Sequence, residues 1–371
     1  MKNKKKSVIF RRLLKEPRLY IIMLLPLSLI IRLCAEYIHG VADAYSFTVY
    51  RFISMLFNNI NSVLPFSLGE LLVVLFPAAA VFFLVYGIAA FIKRRGKRLK
   101  TLFNSFINIL CVVSTGLFLF MTNCGINYYR SDFSELSGLE VKDTSSEKLK
   151  EVCIYLADSA AKERQIVKEN DEKVFISDEQ LFGRCAEAVN SLDESYSFIG
   201  IGYKAPKGVV LSELMSECMI EGIYFPYTFE ANVNTHITAL ELPFVACHES
   251  SHIHGFMSEE DANFIAFLAC KESDCHDLRY SGYMMSLIYA TNALYSADKE
   301  GFDEVYTHYT EGMKRDIEYY NKYWDKYITP VSEAAAALND SYLKSNSKTD
   351  GIKSYGKMVD LVIAYYEANG K

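Results

Sequence analysis

The chain has 371 residues, 51% of them hydrophobic, and a formal net charge of −6 at pH 7. That charge is unevenly divided: the first 125 residues hold sixteen Lys+Arg against four Asp+Glu, and the rest 23 against 41, a formal −18. So acidic a second part lacks the basic stripe that phosphate contacts require, which excludes nucleic acid as a partner.

The chain opens on "MKNKKKSVIFRRLLKEPR", with eight Lys+Arg, and then runs uncharged from Leu19 to Ile31. Continued through the i,i+4 pair Arg32 and Glu36, this segment is expected to span a bilayer at about 19–38 as an uncleaved helix. A cleaved signal peptide is the competing account, but there is no clear small-residue cleavage site, and Arg32 and Leu33 precede Cys34 where a lipoprotein signal would differ. Leu71 to Ile92 and Leu102 to Gly125 each offer roughly twenty mostly apolar residues without a charge, enough to cross about 30 Å of hydrocarbon. The connector "KRRGKRLK", residues 93–100, and the basic N-terminus both belong on the cytoplasmic side, which requires three crossings. Tyr45 to Phe66 is apolar enough to suggest a fourth span, but a fourth would put "KRRGKRLK" outside. It is therefore expected to lie as an amphipathic interfacial or re-entrant segment. The expectation is a three-helix membrane region over residues 1–125, with spans at about 19–38, 71–92 and 102–125. An extracytoplasmic domain follows over residues 126–371.

That domain is expected to be mainly α with a small β-sheet. Helical patterns cover Ser145–Glu169, Asp178–Leu192, Pro243–His254, Glu259–Lys271, Gly282–Asp298, Phe302–Tyr327, Val331–Leu343 and Tyr355–Asn369, with apolar residues three and four apart. Between Ile199 and Thr238, "GVVL", "GIYFPY" and "ANVNTHI" suit short strands. The six cysteines of this part show no CxxC pairing. Cys270 and Cys275 could pair locally, and buried free thiols are the alternative.

The chemistry concentrates in "CHESSHIHGF", residues 247–256. His248 and His252 are four apart, so on a helix both imidazoles meet one ion, and Glu249 stands about 100° around the helix, placed to hold a water beside it. Pro243 suits the first turn of that helix and Gly255 the left-handed residue past its end. A third ligand is sought in "SEEDAN". Ser258 and Asp261 resemble a capping box, which leaves Glu259 or Glu260; Glu259 shares a small-residue face with Ala262, Asn263, Ala266 and Cys270 and is the expected ligand, with Glu260 and Asp261 as alternatives. His236 and His254 are expected to be loop or core histidines. Arg279, Tyr280, His308 and Tyr355 are candidates for a transition-state donor, and none is assigned.

"HESSH" followed by "EEDAN" resembles gluzincins of the membrane CAAX-protease and HtpX type, in which a glutamate in an E-x-x-A-D pattern completes HExxH. Here the pattern is Glu259-x-x-Ala262-Asn263, with Asn for Asp, and the gap from His252 is shorter than in those families. "PFSLGELL", "EANVNTH", "LPF", "HESSHIHGF", "EEDANFIAFLAC" and "DGIKSYGKMVDLVIAYY" resemble a group of bacterial multi-pass membrane proteins, a domain of unknown function with a zinc-peptidase signature. The resemblance implies a zincin-like metallopeptidase domain anchored in a bacterial cell membrane. It supplies no known substrate; the peptidase reading of the residues puts Zn2+ on His248, His252 and Glu259, makes Glu249 the catalytic residue and expects a peptide or protein substrate. The alternative is a non-catalytic sensor that binds peptide or metal.

Overall fold

The computed structural model describes residues 16–142, 144–178, 180–346 and 355–369; the basic stretch before Glu16 and the start of "DGIKSYGK" lie outside them. In chain order, α1 (Pro17–Ile22) and α2 (Leu24–Tyr37) form one apolar rod. A bent segment follows, made of α3 (Val41–Tyr45), a π turn (Ser46–Tyr50) and α4 (Arg51–Asn61). Then come the long helices α5 (Leu68–Lys93) and α6 (Arg98–Asn123). The rod, α5 and α6 are three helices long and apolar enough to cross a membrane. At about 1.5 Å per residue, the 26 residues of α5 reach about 39 Å, more than a hydrocarbon core.

Polar contacts fix how these helices run. Arg18 reaches Asn104 and Asn108 at 3.4 Å, and Arg32 donates to the Tyr129 hydroxyl at 3.0 Å, so the first rod runs alongside α6 in the same direction. α5 runs the opposite way. The connector "KRRGKRLK" therefore sits at one end of the bundle, and Tyr37, Leu68 and Asn123 meet the rest of the chain at the other.

Beyond α6 the chain folds as α7 (Phe133–Ser137), α8 (Ser146–Arg164), α9 (Leu181–Ser191), β1 (Lys207–Gly208), α10 (Ser212–Glu217), β2 (Gly222–Phe225) and β3 (Glu230–Val233). After the strands come α11 (Leu242–Ile253), α12 (Glu259–Glu272), α13 (His276–Ala297), α14 (Lys299–Tyr306), α15 (Glu311–Asp325), α16 (Pro330–Ser345) and α17 (Tyr355–Ala368). The protein is mainly helical with one small mixed sheet among the described residues, ordered β1-β3-β2. β1 is parallel to β3, and β2 is antiparallel to it, with Gly222 opposite Val233 and Phe225 opposite Glu230.

Local chemistry moved several boundaries. The helix expected over Phe302–Tyr327 is two, because the Thr310 hydroxyl accepts the Met313 N–H at 3.2 Å and starts α15 afresh. α8 stops at Arg164, whose guanidinium turns inward to Asp316 at 2.7 Å. α12 forms the centre of the core: from Glu260 to Cys270 every residue is buried, and Phe264, Ile265, Phe267 and Leu268 are at most 1% exposed. Each such side chain contributes about 1.5–3 kcal/mol of hydrophobic stabilisation. All nine cysteines are free thiols, and Cys270 lies 3.8 Å from Cys247 Sγ instead of pairing with Cys275.

The segment from Val41 to Phe66, placed with the membrane region by its composition, packs against the later domain. Tyr50, Ser54, Asn58 and Asn61 are buried there. Ser54 meets Tyr203 at 2.8 Å, Asn58 donates to the Phe229 carbonyl at 3.1 Å, and Asn61 donates to the Thr228 carbonyl at 2.6 Å. The start of α5 is held just as firmly. Glu230 accepts the Gly69 N–H at 2.8 Å and the Leu68 N–H at 3.2 Å, placing a carboxylate at the positive end of the helix dipole. Lys207 neutralises that carboxylate from 2.7 Å. The two motifs "PFSLGELL" and "EANVNTH" thus form one joint, in which the absent side chain of Gly69 leaves room for the Phe225 ring.

Candidate metal centre

α11 ends as its sequence requires. The Phe256 N–H donates to the Ser251 carbonyl at 3.2 Å and the Gly255 N–H to the His252 carbonyl at 3.0 Å, with Gly255 at φ +92°, which is a Schellman stop. The turn then places the Phe256 carbonyl 2.6 Å from His252 Nδ1. The same stop that ends the helix therefore orients one of its histidines.

α12 begins three residues later. The Ser258 hydroxyl accepts the Asp261 N–H at 3.4 Å, the capping contact expected there. From this start Glu259 projects back to α11, with its carboxylate 3.3 Å from His248 Nε2 and 4.0 Å from His252 Nε2. One turn on, Asn263 Oδ1 lies 2.8 Å from His248 Nδ1. Of the three carboxylates considered, Glu259 is the one grouped with the histidines; Glu260 lies 4.0 Å from Lys357. Among the described residues, His248, His252 and Glu259 are the group of metal-ligating type whose donor atoms all fall within 4.8 Å of one another.

These residues fit a tetrahedral cation. Ligands about 2.0–2.1 Å from zinc stand about 3.3–3.4 Å apart. His248 Nε2 and His252 Nε2 are 3.1 Å apart and Glu259 is 3.3 Å from the first, close to that spacing, while Glu259 stands 4.0 Å from the second. Both Nδ1 atoms face acceptors, so each neutral ring carries its proton there, and two Nε2 lone pairs point at each other. Such an arrangement needs positive charge between the rings. Burial opposes that charge on His248, yet the Glu259 carboxylate outweighs burial and raises its pKa to about 9. His252, buried beside the charged His248, is pushed down to about 4.

Glu249 is 5% exposed, and its Oε2 is buried with no hydrogen-bond partner. Burial pushes its pKa up to about 8, against the pull of His248 and with help from Glu259 and Glu221. β2 passes tightly over it: a Cβ on Gly222 would come within 2.5 Å of Glu249 Cγ. Hence the strand can approach only because residue 222 has no side chain.

The remaining candidates lie elsewhere. Arg279 pairs with Glu163 at 2.8 Å, Tyr280 donates to Asp316 at 2.6 Å, and His308 meets Asp158 at 2.8 Å. His254 packs on Tyr203 and faces the Ile199 carbonyl at 3.1 Å, while the His236 N–H donates to Asn234. The Tyr355 side chain lies outside the described residues. Three residues that no motif marks stand near the site instead. Glu221, just before β2, carries a raised pKa from burial, moderated by His248 and reinforced by Glu259. Tyr128 and Tyr342, hydroxyls 3.0 Å apart, both feel the charge of Glu259. In a chain with 26 tyrosines nothing local distinguishes those two.

No curated protein and no solved structure is significantly similar to the chain. The family described as "Protein of unknown function (DUF3810)" matches residues 45–363, from the end of α3 into α17 and across both histidines of the site, and the chain belongs to that family.

Proposed function

We propose that the protein is a membrane-anchored zinc metallopeptidase with a zincin-like domain, hydrolysing peptide bonds at the extracytoplasmic face of a bacterial membrane. The observation that carries this reading is the meeting of His248 Nε2, His252 Nε2 and Glu259, with donor atoms within 4.8 Å of one another, beside a buried Glu249 whose Oε2 has no hydrogen-bond partner. A structural zinc has no use for that glutamate. The charge bias supports the compartment: the basic connector is expected on the cytoplasmic side, and the domain lies at the opposite end of the bundle from it.

The roles then divide by position. Zinc, when bound, polarises the scissile carbonyl and makes a water acidic near neutral pH. Glu249 takes the proton of that water on its free Oε2 and returns it to the leaving amine. Asn263 and the Phe256 carbonyl hold the two imidazoles in the tautomer that turns Nε2 inward. The register of β2 against β3 leaves the Gly222 backbone on the open edge of the sheet beside Glu249, where an extended peptide can pair.

Metal analysis and peptide-library cleavage test the reading on full-length protein in micelles. About one zinc per chain is expected, lost in His248→Ala. Glu249→Gln should keep the zinc and lower turnover by about 10²–10⁴. Absence of metal in the wild type would refute the proposal. Zinc bound without any cleavage would favour the sensor.

A further inference from the structure

The bent segment from α3 to α4 is amphipathic in the opposite sense from a helix on a soluble protein. Its polar and hydroxyl side chains, Tyr50, Ser54, Asn58 and Asn61, are buried against the domain. Its apolar ones point out: Val49, Phe52, Leu56, Ile60 and Val63 recur at helical spacing and are 44–81% exposed. Apolar side chains so exposed need a partner other than water.

The stripe continues onto neighbouring surfaces. Asn59 donates to the Gly202 carbonyl at 2.9 Å, which sets the exposed Ile201 beside α4. Glu70, in the first turn of α5, accepts the N–H groups of Val210 at 3.1 Å and Leu211 at 2.7 Å. Val210, 83% exposed, therefore sits at the depth where the second apolar helix begins. Phe66, 44% exposed, lies in the chain between α4 and α5, so exposed apolar residues lead from α4 towards the second apolar helix.

We infer that α4, with Val63, Ile201 and Val210, forms a lipid-contacting face that lies in the headgroup–acyl boundary of the same bilayer the long helices cross. The inference rests on those helices being spans, and it does not depend on a metal. Its significance for the site comes through Tyr50, on the opposite face of the same segment. The Tyr50 hydroxyl donates to the carbonyls of His252 at 3.2 Å and Ile253 at 3.0 Å. One helix thickness, about 10–12 Å, thus separates the lipid from the end of the metal-binding helix.

Tryptophan quenching by phosphatidylcholine brominated near the headgroup tests this in vesicles holding the full chain. Phe52→Trp, Ile60→Trp and Val210→Trp replace exposed side chains, and Tyr306→Trp on α14 is the reference. The native Trp324, buried and bonded to Glu241, supplies a constant background and a check on folding. The three face variants should lose about half or more of their added emission, and the reference should lose none. Quenching at positions 52 and 60 no greater than at 306 would overturn the inference. Carbonate extraction of the same vesicles separates the two readings: a chain stripped from the bilayer overturns both the spans and the face. A chain retained but unquenched overturns the face alone.

Discussion

At the residue scale, the site depends on side chains that hold other side chains. Asn263 holds His248 through a neutral amide, where the resembling peptidases use a carboxylate. Removing the contact in Asn263→Ala should weaken zinc binding about 10–100-fold, measured by competition with a chromophoric chelator. Asn263→Asp should preserve or tighten it, because a charged acceptor makes the imidazole more basic. The histidine pair, Glu249 and Gly255 were legible in the sequence, since a four-residue spacing and a helix stop are local facts. Glu221 was not, because it reaches the site through the course of β2 over α11. Gly222 was equally silent until the strand's approach to Glu249 gave its missing side chain a reason.

At the scale of elements, the domain is tied by a buried polar cluster separate from the His248, His252 and Glu259 group. Asp316 on α15 accepts from Arg164 of α8 at 2.7 Å, from Tyr280 of α13 at 2.6 Å and from the Phe175 N–H at 2.9 Å, while only 1% exposed. Asp316→Ala would take the nearest partner from a buried guanidinium that keeps Glu169 at 3.2 Å and the Lys173 carbonyl at 2.9 Å, so it should cost about 1–3 kcal/mol in thermal or denaturant unfolding without changing zinc stoichiometry. The helices of this domain were readable from apolar spacing, and their ends less so. The division of Phe302–Tyr327 turned on one threonine hydroxyl, and the end of α8 on an arginine whose partner lies 152 residues away. Long-range partners of that kind leave no trace in a local window. The same holds for α4: its amphipathic character was plain, but which face turned inward depended on carbonyls of Phe229 and Thr228 far along the chain.

At the scale of the whole molecule, the joint between Glu230 and the first turn of α5 has a consequence for selection. Its hydrogen bonds and the Lys207 ion pair are buried or half-buried, so loosening it would leave a carboxylate or an ammonium without its partner. Domain and span then move as one piece, and Tyr50 and Tyr224 tie the α11 end and the α6 end to that piece. On the proposed peptidase reading, a site held at constant height would measure its substrate from the membrane like a ruler. Inserting about five residues between a substrate's own membrane anchor and its native scissile bond should therefore move the cut to a new sequence at the old distance, readable by mass spectrometry of the products. A cut that follows the original sequence outward would instead mean that side chains, and not height, choose the bond.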